Sequence, residues 1–200
     1  MRKRALSLPI AAVIIAALCV YKLTREYDSP PHSAMVVSRP VPRPLFELYN
    51  AKQPSELMRL KSFLGRHRII LVFFDSRLGA DRDPRLLRLY RAAGQIEKAG
   101  IIVLAVSGAL PSENRQATER ARKSGLRILF PLLSDPPSTS ASPKMGYLVH
   151  RTWGRYDEQS RQPQPGIFLI DRAGTVNWIG NKPQPVGLDD RRLEQFIAGR

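Results

Sequence analysis

The sequence holds a single cysteine, Cys19. No disulfide can close within one chain, and neither a C-x-x-C redox pair nor a cysteine-based metal site can be built. Histidine is scarce as well: His32, His67 and His150 lie far apart, in none of the spacings that ligate a metal. Acidic residues number 17 against 32 Lys and Arg, a formal net charge of +15. Such a surface suits anionic lipid or an acidic protein. The basic residues are scattered, and inside the domain they run no longer than a pair such as Arg191-Arg192, so a nucleic-acid partner is not expected. No cofactor is called for. What is present suffices for a core: 200 residues predict roughly one domain, and 43% of them are hydrophobic.

Met1-Arg2-Lys3-Arg4 is a basic start, and Ala5 to Tyr21 is almost wholly apolar. The reading is an N-terminal membrane anchor over residues 1–25, short for a span of about 20 residues. The basic start keeps the N-terminus in the cytoplasm and places the domain on the periplasmic or extracytoplasmic side. The rival reading is a cleaved signal peptide and a secreted domain. Lipid attachment at Cys19 would need a small residue before it, and Leu18 stands there. Residues 26–44, with Pro30, Pro31, Pro40, Pro42 and Pro44, read as a stiff linker. Residues 45–200 are the domain.

The domain is organised around Ile69 to Phe74, six apolar residues without a break. That is a strand buried on both faces, the centre of a parallel sheet. A loop follows, and Asp83-Pro84 then has the form of a helix cap and first helical residue. Ligands of open α/β sheets bind outside the carboxyl end of such a strand, so the loop Asp75 to Asp83 is the candidate site. Around it, apolar spacing predicts helices over Ser55 to Leu64, Pro84 to Lys98, Ser112 to Ser124, Lys144 to Trp153 and Leu188 to Ala198. Strands are predicted at Ile101 to Ser107 and Ile128 to Phe130. A hairpin is predicted from Gly166–Asp171 and Thr175–Ile179, turning at Gly174. Trp153 and Tyr156 are candidates for a ligand face. The fold class is α/β, a central mixed sheet flanked by helices.

Four segments carry a family resemblance: Ile70-Leu71-Val72-Phe73-Phe74, Val103-Leu104-Ala105-Val106-Ser107, Phe130-Pro131-Leu132-Leu133-Ser134-Asp135-Pro136, and Pro165-Gly166-Ile167-Phe168-Leu169-Ile170-Asp171. Together they resemble the alkyl hydroperoxide reductase and thiol-specific antioxidant family, the redoxins. The resemblance implies a thioredoxin-like fold and antioxidant oxidoreductase chemistry. It places Pro165 at the thioredoxin-fold proline that is usually cis. The family's peroxidatic cysteine, whose thiolate is held by a helix N-terminus and a nearby Arg, falls at Arg82 or a neighbour. Gly79 stands where the family has a threonine, and no cysteine occurs in the loop.

Asp75, Ser76, Gly79, Asp81, Arg82 and Asp83 are therefore positional analogues of the family site, and none is assigned a catalytic role. Ser76 cannot replace a thiolate, because its hydroxyl is far from ionised at neutral pH. The loop's three aspartates could hold a hard cation. Capping by Asp83, a place for Asp81 at the helix's positive end and strand termination by Asp75 account for them without one, and no metal is expected. The reading is a membrane-anchored redoxin domain, catalytically degenerate, binding a protein partner or small ligand at the active-site face. The alternatives are a peroxidase or thiol oxidoreductase relying on a partner's thiol, and a basic domain resting on anionic lipid.

Overall fold

A computed structural model describes residues 35–51, 56–138 and 146–199. The predicted anchor, Cys19 and the first part of the linker lie outside these residues, as does the polar stretch 139–145.

The strands are β1 (Val36–Pro40), β2 (Glu47–Asn50), β3 (Leu57–Arg59), β4 (Arg68–Phe73), β5 (Ile101–Ser107), β6 (Leu132–Ser134), β7 (Tyr156–Asp157), β8 (Gln162–Pro163), β9 (Gly166–Ile170), β10 (Thr175–Ile179) and β11 (Lys182–Pro183). The helices are α1 (Pro84–Arg91), α2 (Ala93–Lys98), α3 (Pro111–Lys123), α4 (Leu148–Thr152) and α5 (Arg191–Ala198). A six-stranded sheet runs β3-β2-β6-β5-β4-β9. β4, β5 and β6 are parallel, while β9 and β2 pair antiparallel on either side of them.

The unbroken apolar run of β4 has the predicted cause. Its side chains alternate between two cores, so neither face tolerates a polar residue. Ile70 and Val72, with Phe74 just beyond the strand, face a core shared with Leu86 and Leu89 of α1, Ala117 and Ala121 of α3, and Leu193 of α5. Ile69, Leu71 and Phe73 face the other, with Trp153, Phe168 and Val176. Phe73, Phe168 and Trp153 meet edge-on or tilted, with centroids 4.9 to 6.2 Å apart.

Several expectations fail on long-range pairing. β1 lies inside the stretch read as a linker, yet it pairs along its whole length with β10, from Val36 opposite Ile179 to Pro40 opposite Thr175. The expected hairpin of β9 and β10 keeps its turn, where Gly174 N–H donates to Asp171 O, but β10 leaves the main sheet to join β1 and β11. The helix expected over Ser55 to Leu64 is β3 followed by a 3₁₀ turn, because Leu57–Arg59 finds a strand partner in Glu47–Tyr49. The strand expected at Ile128 to Phe130 begins only after Pro131, while Phe130 stacks on Tyr90. The long helix from Pro84 breaks at Ala92, whose backbone (φ −91°, ψ 3°) leaves the helical range. Ser112 is not a cap: Pro111 opens α3, and the Glu113 carboxylate accepts from Leu110 N–H at 2.7 Å. Trp153 is core rather than ligand face.

Leu71 is fully buried in the central strand. Leu71→Ala is expected to cost about 2–5 kcal/mol of unfolding free energy, read from the midpoint of a denaturant titration. A loss well under 1 kcal/mol would contradict burial on this face.

Candidate active-site loop

The loop between β4 and α1 closes at the C-terminal edge of the sheet. Asp83 is its anchor, a fully buried carboxylate at the helix start. Its Oδ1 accepts from the N–H groups of Arg85 (2.8 Å) and Leu86 (3.4 Å). Its Oδ2 accepts from Asp75 N–H (3.0 Å) and from Arg85 Nη1 (3.1 Å). The cap was legible in Asp83-Pro84; the reach back across the loop to Asp75 was not. Burying an ion is costly unless its lone pairs are used, and here four donors use them.

The other two aspartates are engaged in the same way. Asp75 binds its neighbour Arg77 through Nε (3.0 Å) and Nη2 (2.8 Å) and also accepts the Arg77 N–H. That guanidinium holds the Asp75 carboxyl below the usual carboxylate range, against the opposing effect of burial. Asp81 takes Arg120 of α3 side-on, at 3.2 and 3.0 Å. Arg82 is exposed; its Nε donates to Leu78 O at 3.1 Å. Ser76 is half-buried beside it.

Gly79 has φ +80°. A Cβ there would come within 2.8 Å of Asp81 Oδ1 and 2.9 Å of Arg120 Nη2. A side chain at Gly79 is thus incompatible with the Asp81–Arg120 pair as it stands.

Pro165 lies across from the loop at the start of β9. Its peptide bond is trans; among the described residues the cis X-Pro bond is Arg43–Pro44. The resemblance had implied the reverse. The backbone here is tied by Arg155, whose O accepts from Gln164 N–H and whose Nη2 donates to Pro165 O at 2.9 Å, and it runs extended from β8 into β9. Arg155 is half-buried and has no carboxylate partner among the described residues. Burial, and then the nearby charge of Arg85, lowers its proton affinity.

Two features escaped the sequence reading. Asp135 and His150 form a buried pair 15 residues apart, with Nδ1 to Oδ2 at 2.6 Å and His150 N–H donating to the same oxygen at 2.8 Å. The second is Tyr147, with φ 55°, unusual for a residue bearing a side chain. Its ring stacks on Tyr156 and lies so close to Gly108 that a Cβ there would sit 2.7 Å from it. Asp135 stood in a quoted motif, but nothing in the spacing pointed to His150. Among the described residues no group of three or more His, Cys, Asp or Glu side chains is arranged to hold a metal.

The sequence model of the AhpC/TSA family matches residues 40–179. The chain is 30% identical over 142 residues to alkyl hydroperoxide reductase E of Mycobacterium tuberculosis H37Rv, covering 70% of this chain and 84% of that protein. The Mycobacterium bovis protein of the same name matches equally. Among solved structures, the mitochondrial 2-Cys peroxiredoxin of Plasmodium falciparum superposes with a TM-score of 0.55 at 15% identity, over 80% of this chain and 91% of that one. A Chlorobium tepidum protein assigned as thiol:disulfide interchange protein DsbE gives 0.52 at 20% identity, over 80% and 96%. These establish a mixed α/β thioredoxin-like fold.

Asp83→Ala is expected to cost about 2–3 kcal/mol, because it strands three N–H groups and the Arg85 guanidinium. Acid unfolding gives a second check. The depressed carboxyl of Asp75 contributes stability that is complete above its unfolded value of about 3.9 and is lost as pH falls through the lower folded value. Asp75→Asn is therefore expected to flatten the fall in stability below about pH 4. An unchanged slope would mean that the Arg77 pair carries none of it.

Proposed function

The chain belongs to the AhpC/TSA family, and we propose that it acts there as a membrane-anchored binding or scaffold module rather than as a thiol peroxidase. One observation carries the reading. The resemblance puts the family's cysteine thiolate at Arg82 or a neighbour, and beside that place this chain holds the buried carboxylate of Asp83, saturated by four donors. A carboxylate so engaged is no nucleophile toward peroxide, and it repels a second anion from the same helix end. No residue from 22 to 200 is cysteine, so the domain brings no thiol of its own. Residues 5–21 supply the anchor, with the domain on the extracytoplasmic side.

A second reading keeps the redox chemistry and draws the sulfur from a partner. Its support is the name of the relatives, alkyl hydroperoxide reductase, and it requires a mixed complex with a cysteine-bearing protein.

The test is peroxide consumption by the full chain in detergent with dithiothreitol, alongside an Arg82→Ala control. The expected rate equals the control; a rate clearly above it overturns the reading. A companion variant probes the carboxylate itself. In a Cys19→Ser background, Arg82→Cys places a thiol beside Asp81 and Asp83. Those neighbours are expected to keep its pKa at or above the ordinary value of about 8.5, read as alkylation rate against pH. A thiol titrating near 6 would show that the helix end still stabilises an added anion.

A further inference from the structure

We propose that the cavity between the loop Asp75–Asp83 and helix α3 binds a small oxyanion, the carboxylate or phosphate group of a ligand or partner. This rests on the reading of the face as a binding module and gives its ligand a chemistry.

The cavity measures about 250 Å³. Three arginines line it: Arg77 and Arg82 from the loop and Arg120 from α3. Each is held by one edge. Arg77 gives Nε and Nη2 to Asp75, Arg120 gives Nε and Nη2 to Asp81, and Arg82 gives Nε to the Leu78 carbonyl. A guanidinium carries five N–H donors in a fixed fork. Nη1 of all three, and Nη2 of Arg82, make no hydrogen bond within the described residues. Those are the donors a planar or tetrahedral oxyanion takes in pairs.

The existing ion pairs favour such a ligand. The carboxylates already hold Arg77 and Arg120 in place, so little side-chain freedom remains to be lost on binding. The acidic groups at the site are occupied: Asp75 by Arg77, Asp81 by Arg120, and Glu113 by the Leu110 N–H. Arg82 is the most loosely held of the three: its one ion pair is with Asp81 at 3.7 Å from Nε, a carboxylate already taken side-on by Arg120. It is the cation most open to an incoming charge. The volume suits one acidic head group.

The experiment titrates the full chain in nonionic detergent with sodium phosphate and with sodium succinate, at constant ionic strength balanced with sodium chloride, by calorimetry. Saturable binding of one anion per chain is expected for at least one of them, and the preference between the two identifies the source of the oxyanion. Arg82→Gln is expected to weaken it at least tenfold. That side chain is exposed and makes one main-chain hydrogen bond, so its loss leaves the fold intact. Arg172→Gln, in the exposed turn between β9 and β10, is expected to leave affinity unchanged. No saturable heat with either anion overturns the proposal, and so does equal weakening by Arg172→Gln, which would mean diffuse charge. The outcome is separable from the peroxide assay. Peroxidase activity with anion binding intact would remove the scaffold reading and keep the site; inactivity without anion binding would do the opposite.

Discussion

The buried carboxylate of Asp83 is the constraint on which the loop depends. It sits eight residues beyond Asp75 and fastens the strand end to the helix start, accepting from Asp75 N–H on one side and from Arg85 and Leu86 on the other. A loop of that length would otherwise sample many closures. Desolvating an ion opposes folding by several kcal/mol, so the arrangement persists only because every donor is in place. The interaction therefore couples two things: it makes the loop rigid, and it commits the helix end to a negative charge that the chain itself provides.

Around that centre the abundance of arginine over lysine has a structural use. Asp75, Asp81 and Asp190 are each gripped by a guanidinium through Nε and Nη2, a two-point geometry that an ammonium cannot supply. The cost falls on local backbone freedom. Gly79 must lack a side chain for Arg120 to reach Asp81, and α3 must lie close enough to deliver it. The absence of a side chain at Gly79 and the presence of the Asp81–Arg120 pair are thus one structural fact. Exposed pairs of this kind add little stability singly, about 0–1 kcal/mol each. Their effect is to fix the loop's shape.

What could be read from the sequence was whatever is local or periodic. The double-sided burial of β4 is written in six consecutive apolar residues, and the cap of α1 in the adjacent Asp83-Pro84. The motifs quoted for the redoxin resemblance led to the right family. What could not be read depends on partners distant along the chain. Val36–Pro40 looks like proline-rich spacer until β10, some 140 residues on, offers it an edge. His150 looks like a lone histidine until Asp135 meets it. Arg120 looks like one basic residue among many on a polar helix until the fold sets it against Asp81. The proline at β9 differs for another reason: Pro165 is trans where the resemblance implied cis, and no motif encodes a bond's isomer.

The start of α1 poses a physical problem, and the loop answers it. The end of β4 gathers positive charge: the N-terminus of α1, Arg85, and the half-buried Arg155, which no carboxylate of the described residues offsets. A thiolate would neutralise such a place. Without one, the charge must be met by a ligand, by displacement of the arginines, or by a carboxylate built into the loop. Asp83 is that carboxylate, and because it is fully buried it occupies the inner position permanently. On the oxyanion proposal, an anion from solution meets the rim, where Nη1 of Arg77, Arg82 and Arg120 makes no hydrogen bond within the described residues. On the proposed reading, a carboxylate at the centre thus moves recognition outward, to a shallower site on the same face.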